Sequence, residues 1–303
     1  MTGAKSSIIR YLPDTITVLE DRDFSHADYV YWIYGPGPSW LNFLPKLYNS
    51  HSRILIHWVG SDVSFLSDKL SSSSLRAKIY YRLWLKATNI NADQHRVHHF
   101  SVSEWLQDEL LALGIKSTVL PISALNDRII EQSTDNTDRK YDFVSYIPYN
   151  GFDFYGGNEI VKLAKLLPDK LFAVFNSDKE SINAITLNVY PSNVTIFSLV
   201  EHSIVQEIFR NSKCLLRLTK HDGLSRSVLE ALCAKMQVIW TCDYPYSVKI
   251  NLDNFEDIYN KARNIADAWV LNEAGHDYIK ANFSQTAMQA MYDSRLNSLL
   301  KKR

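Results

Sequence analysis

The chain has 303 residues, which at roughly 150 per domain makes two domains or one large α/β domain, long enough to fold without disulfides or a structural metal. Lys plus Arg and Asp plus Glu both number 33, so the formal charge is zero and the broad basic footprint of a general nucleic-acid binder is excluded. With 46% hydrophobic and 22% charged residues the composition is globular rather than disordered, and the longest apolar run, Tyr29–Tyr34, falls far short of the roughly 20 residues that span a bilayer. Strands are predicted at Ile16–Leu19, Tyr29–Tyr34, Arg53–Val59, Val97–Val102 and Thr118–Leu120. Helical patterns lie at Leu75–Ala87 and Ser103–Leu113, the second with Ser103 as its N-cap and Gly114 as its stop.

The stretch 126–140, NDRIIEQSTDNTDRK, is polar and poor in aromatics and reads as a linker. The alternation then restarts with strands at Phe143–Tyr146, Leu171–Phe175, Val194–Phe197, Cys214–Leu218 and Val238–Thr241. Helices fit at Asn158–Leu167, Ser203–Asn211, Leu224–Lys235, Phe255–Trp269 and Ser284–Leu300. Strands alternating with helices imply βαβ units, so the expected fold is α/β: two Rossmann-like domains, 1–125 and 141–283, with mostly parallel sheets facing each other across a cleft. A C-terminal helix over 284–303 would be free to pack back on the first domain. Ligands of such sheets bind beyond the carboxyl ends of the strands.

Cys214, Cys233 and Cys242 have no CxxC spacing and lie in apolar stretches, which suits buried, reduced thiols. His95, His98 and His99 lack a Cys or carboxylate to complete a ligand set, so no metal site is expected. Met1–Pro13 lacks the apolar core of a secretory signal, and a cytoplasmic location is expected.

The most informative segment runs from Arg217 to Trp240, RLTKHDGLSRSVLEALCAKMQVIW. An apolar strand leads into His221-Asp222-Gly223, and a helix then opens near Leu224. Backbone N–H groups of Leu224, Ser225 and Arg226 would point out of that helix start as an anion site, and Gly223 would let the backbone approach a phosphate. Asp222 and Glu230 would be separated by on the order of 10 Å at ~1.5 Å per helical residue. That is about the reach of a nucleotide sugar's diphosphate.

Asp-x7-Glu followed by Ala-Leu-Cys-Ala and a Val-Ile-Trp strand resembles the Glu-x7-Glu element of family 4 retaining glycosyltransferases, which have the GT-B fold. The resemblance implies that Asp222 contacts the donor sugar and Glu230 the ribose. IHWVGSDV is similar to a His-x-x-Gly-Ser-Asp element in the family's first domain and brings in His57 and Asp62, with His57 as a catalytic candidate beside Asp222. Taken alone, a histidine at the end of a buried strand is more often a satisfied core residue. YGGNEIVKLAKLLPDKLFAVF resembles the first helix and second strand of the donor domain, with Gly156 and Gly157 near the phosphates. YGPGPSW, with Gly35 and Gly37, resembles a glycine loop on the acceptor or sugar side, although its prolines equally make a rigid turn. The family's phosphate-binding Arg and Lys after the first donor-domain strand are missing, since no basic residue stands from Tyr141 to Gly157. Arg217, Lys220 and Arg226 are the candidate replacements, because charge-assisted bonds are the strong ones.

The expected reaction is transfer of a sugar from a nucleotide-sugar donor to a glycan, lipid, protein or small-molecule acceptor, with retention and without metal or other cofactor. A catalytically degenerate two-domain nucleotide- or sugar-binding protein is the alternative. A Rossmann oxidoreductase is disfavoured because no GxGxxG follows a predicted strand. Asp21-Arg22-Asp23 offers a short Asp-x-Asp pattern that fits a cation site in another glycosyltransferase class, but it comes before any nucleotide-binding domain. The stretch 75–87 carries Arg76, Lys78, Arg82 and Lys86 interleaved with aromatics, which fits either a solvated basic face or weak contact with an anionic membrane.

Overall fold

Apolar runs become buried strands and the polar-and-apolar stretches between them become helices in the computed structural model, which describes residues 29–35, 53–93, 96–122, 125–131, 135–148, 151–176 and 190–300. Ile16–Leu19, Asp21–Asp23, Gly37 and His95 lie outside the described residues. The chain forms two compact units, one of residues 1–124 with 286–303 and the other of residues 125–285.

The first unit contains β1 (Tyr29–Ile33), β2 (Arg53–Trp58), α1 (Ser61–Ser71), α2 (Leu75–Asp93), β3 (Val97–Ser101), α3 (Glu104–Ala112) and β4 (Thr118–Val119). Its described strands pair in parallel in the sequential order β1-β2-β3-β4. Strand β2 is buried along nearly its whole length, as a strand covered on both faces must be. Helix α1 is not among the predicted elements; only Asp62, Val63 and Leu66 of it are buried, too sparse a pattern to read. Ser103 does stand at the N-cap of α3, but its side chain makes no capping bond.

The second unit contains α4 (Asp127–Glu131), β5 (Tyr141–Tyr146), α5 (Gly157–Leu166), β6 (Phe172–Asn176), β7 (Val194–Ser198), α6 (His202–Arg210), β8 (Ser212–Arg217), α7 (Arg226–Cys233), β9 (Gln237–Trp240), β10 (Val248–Lys249), α8 (Phe255–Asp267) and α9 (Glu273–Phe283). Helix α10 (Gln285–Leu300) closes the chain, and its Tyr292 hydroxyl donates to the Pro121 carbonyl of the first unit, 3.0 Å away. The second sheet is parallel in the order β10-β9-β8-β5-β6-β7, the Rossmann order. The chain reverses direction across the sheet between β5 and β8, and ligands of such sheets bind at the carboxyl end of that switch. Phe143, Phe172, Leu216 and Ile239 from the strands and Ile160 and Leu163 from α5 fill one face.

The polar stretch 126–140 is not a free linker. Arg139 is buried and donates to the carbonyls of Ser212 at 2.7 Å and Ala234 at 2.8 Å, with its guanidinium over the Trp269 ring. Asp135 pairs with Lys235. Burial pushes the Arg139 guanidinium down to about 10. Cys214 and Cys233 are buried as expected, whereas Cys242 is half-buried.

Candidate functional site

In the first unit the described site candidates, His57, Asp62 and Gly35, are consumed by structure. His57 is fully buried. Its Nε2 lies 2.7 Å from the Leu120 carbonyl, which can only accept, so Nε2 carries the proton and Nδ1 accepts from the Tyr31 hydroxyl at 2.7 Å. Burial pushes its pKa down to about 3. His57 is therefore a satisfied core histidine, and its assignment as a catalytic residue is corrected: it has no free nitrogen and no path to solvent.

Asp62 is also turned to the backbone. Its carboxylate accepts from the N–H groups of Gly35 at 2.7 Å, Gly60 at 2.8 Å, Val59 at 3.1 Å and Val63 at 3.1 Å. Burial raises its pKa, and the backbone N–H groups of Gly35, Gly60 and Val59, with its own, oppose the rise. Gly35 is pressed so close to the Trp58 ring that an added Cβ would stand 2.1 Å from it. The pair thus fixes the end of β1 to the β2–α1 turn, which accounts for Gly35 and Asp62 without a ligand. Among the neighbouring histidines, His99 is buried and accepts from Trp58 Nε1 at 3.1 Å, and its pKa too is pushed down to about 3.

In the second unit the predicted residues converge. The β5–α5 and β8–α7 loops leave adjacent strands at the switch point and bind each other: Lys220 N–H donates to the Phe154 carbonyl at 2.9 Å. Gly156 has φ 68° and lies so close to Leu218 that a Cβ would stand 2.5 Å from its carbonyl oxygen. Only glycine meets both conditions at little cost. Gly157 plays a different part from the one expected: its N–H donates to the Phe152 carbonyl at 2.8 Å and is not available to a phosphate.

Helix α7 opens at Arg226, with Ser225 as N-cap, rather than near Leu224. Val228 and Leu229 already donate to the Ser225 carbonyl, so the helix amides without an intrahelical acceptor are those of Arg226 and Ser227. The Ser225 and Ser227 hydroxyls bond at 2.9 Å across this start. Gly223 is buried in the preceding turn and Leu224 is half-buried.

Both carboxylates are held by arginines. Arg217 Nε donates to Asp222 Oδ2 at 2.8 Å while its guanidinium lies 4.9 Å from the Tyr155 ring centroid. Arg226 Nε donates to Glu230 Oε1 at 2.8 Å, one turn away on α7. Glu230 is 6% exposed, and the same oxygen lies 3.2 Å from His202 Nε2 at the start of α6. That bond raises the His202 pKa. Glu230 lines a small pocket with Gln206, Phe209, Arg210 and Cys233. Lys220, the third candidate cation, is exposed and forms no ion pair among the described residues. His202 and Tyr155 are additions that sequence reasoning did not name; nothing in local spacing marks a histidine that meets an acid on the next helix.

No protein-family model and no curated protein matches the chain. Solved structures do. Sucrose-phosphate synthase from Thermosynechococcus elongatus is 11% identical, with a TM-score of 0.68 over 91% of this chain and 74% of that one. A glycosyltransferase from Rickettsia africae is 16% identical, with a TM-score of 0.65 over 91% of this chain and 78% of that one. The pneumococcal O-GlcNAc transferase GtfA, solved in complex with UDP and GlcNAc, is 12% identical with a TM-score of 0.56, over 90% of this chain but only 57% of that one. The chain has the two-unit, Rossmann-like α/β fold of GT-B glycosyltransferases.

Proposed function

We propose that this chain is a retaining glycosyltransferase whose second unit holds a nucleotide-sugar donor. The observation that carries the reading is the placement of Asp222 and Glu230 around the β8–α7 loop, at the carboxyl edge where the sheet reverses. In this reading Glu230 accepts from the ribose hydroxyls and Asp222 from those of the sugar. The amides of Arg226 and Ser227, with the Lys220 ammonium, meet the diphosphate. Arg217 and Arg226 act as positioning residues that hold the two carboxylates.

The bond from the sugar's anomeric carbon to the phosphate oxygen breaks as the acceptor oxygen bonds that carbon on the same face. The acceptor's proton passes to the departing phosphate. The chain's work is then orientation and stabilisation of developing charge. The reaction uses no metal or further cofactor, so chelation with EDTA leaves it unchanged.

A panel of UDP- and GDP-sugars tests this by thermal shift. A donor at ~100 times its dissociation constant adds roughly 2.7 kcal/mol of stability. Glu230→Gln should weaken the responding donor by roughly 10- to 100-fold, the worth of a hydrogen bond to a charged group. An undiminished response removes the ribose assignment, and the anomeric configuration of the product, read by NMR, tests retention. The engagement of Arg217 and Arg226 by carboxylates favours one second reading, a nucleotide-sugar-binding protein without catalysis. Binding with neither transfer nor hydrolysis would establish it.

A further inference from the structure

Helix α2 has a buried face and, opposite it, an exposed aliphatic one. One, with Tyr81, Trp84, Thr88 and Asn91, is buried in the first unit. The other leaves Leu75 70%, Ile79 51%, Leu83 62% and Ile90 49% exposed. At about 100° per residue these four fall within about 80° of one another: Leu75, Ile79 and Leu83 stack on successive turns, and Ile90 lies on the same face two turns further on. A single exposed leucine needs no explanation, but a contiguous stripe marks an interaction surface.

The charge around the stripe is of one sign. By the same geometry Arg76 borders it on one side, Arg82 and Lys78 on the other, and Lys86 lies within it. None of the four forms an ion pair among the described residues. Neither Asp nor Glu occurs between Asp68 and Asp93, which sits at the far end of the helix.

We infer that α2 docks on an anionic lipid surface, with the aliphatic stripe among the acyl chains and the four cations at the headgroup phosphates. Charge complementarity selects this occupant. A second copy seated on the same face would bring like cations together, which is repulsive. Nucleic acid would take the cations but leave the stripe in water, since backbone contacts are polar and bases want aromatic platforms. A bilayer accepts both, because Lys and Arg stems lie along apolar surface while their heads reach the phosphates. The inference is independent of the donor site in the second unit.

The test is co-sedimentation of the full chain with vesicles of phosphatidylcholine alone and with about 30% phosphatidylglycerol, at low and at about 0.15 M salt. Binding should require the anionic lipid and weaken with salt. Replacing Arg76, Arg82 and Lys86 by Gln should lower partitioning roughly five-fold per cation. The triple variant Leu75→Ser, Ile79→Ser, Leu83→Ser should lower it by at least roughly ten-fold through lost burial. All six side chains are exposed, so thermal melts confirm that the variants fold. Four results would overturn the inference: no binding to anionic vesicles, equal binding to neutral ones, wild-type binding by the serine variant, or a dimer in analytical ultracentrifugation that the serine variant abolishes.

Discussion

Asp62 and Asp222 both follow a parallel strand and stand beside a glycine turn before a helix, yet the two units use them in opposite ways. Asp62 is fastened by four backbone N–H groups and is part of the scaffold. Asp222 is held by the side chain of Arg217, which leans on Tyr155. A carboxylate closed in by backbone amides cannot exchange partners without unfolding its turn. One held by a side chain can. Topology agrees with this division. The described strands of the first sheet run in sequential order, whereas the second sheet reverses between β5 and β8, the position at whose carboxyl edge such sheets take ligands. Similar local sequence thus yields a clamp in one unit and a candidate site in the other.

The largest test of the contrast is acid. His57 and His99, both in the first unit, are held neutral with pKa values near 3. Between pH 3 and about 6.5 the unfolded chain binds protons that the folded one refuses, so stability falls as pH falls. Each histidine contributes at most about 1.4 kcal/mol per pH unit in that window. Asp62, with its raised pKa, works in the opposite sense. In the second unit His202 has a raised pKa from Glu230, so its contribution is fully present below the unfolded value and is lost as pH rises through the folded one. Hydrogen exchange at pH 7 and pH 5 should therefore show β2 and β3 losing protection while α6 and α7 keep it. If α6 and α7 opened first, the opposition between the units would not hold.

Next come the two glycines. Gly156→Ala sets a Cβ against the Leu218 carbonyl and strains a left-handed residue, for a cost of roughly 2–4 kcal/mol. Gly35→Ala sets a Cβ against the Trp58 ring, a side chain, at roughly 1–3 kcal/mol of overpacking. Denaturant melts give both numbers. Gly156→Ala should also abolish the donor response by parting the β5–α5 and β8–α7 loops, and Gly35→Ala should leave it. Equal effects on donor binding would mean that the loop junction does not shape the site.

What the sequence made legible follows the same physics. Strands such as β2, β5 and β8 stand out because they are covered on both faces and each holds consecutive apolar residues, Ile54–Ile56, Phe143–Val144 and Cys214–Leu216. The Asp222–Glu230 segment was readable because its turn, acid and helix are contiguous. Partners far apart in the chain were not: Asp62 and Gly35 are 27 residues apart, and Arg139 and Ala234 are 95. Polarity between 126 and 140 suggested a linker because a buried guanidinium and an exposed one look alike until their acceptors are known. The start of α7 was placed at Leu224 because Ser225, the residue that caps it, sits within a run that is apolar on one side only.

A smaller effect sharpens the cation question. Arg217 and Arg226 are engaged and Lys220 forms no ion pair among the described residues, so Lys220→Ala should weaken the donor roughly ten-fold, about one charge-assisted bond, with unchanged melting. Adding salt should narrow the difference between wild type and variant, as it does for an exposed cation on a phosphate. A Lys220→Ala protein that binds the donor as well as wild type would return the diphosphate to Arg217 or Arg226.

The smallest expected change concerns helix starts. Asn254 opens α8 by accepting from the Asp257 N–H at 3.1 Å, so Asn254→Ala should cost about 1 kcal/mol, the usual worth of a cap. Ser103 occupies the same position on α3, yet its hydroxyl is buried with no partner among the described residues. An unmade bond of this kind is a liability of roughly 1–3 kcal/mol, so Ser103→Ala should be neutral or stabilising. A loss of about 1 kcal/mol at Ser103, equal to that at Asn254, would mean that the hydroxyl finds an acceptor in solution and that α3 is capped after all.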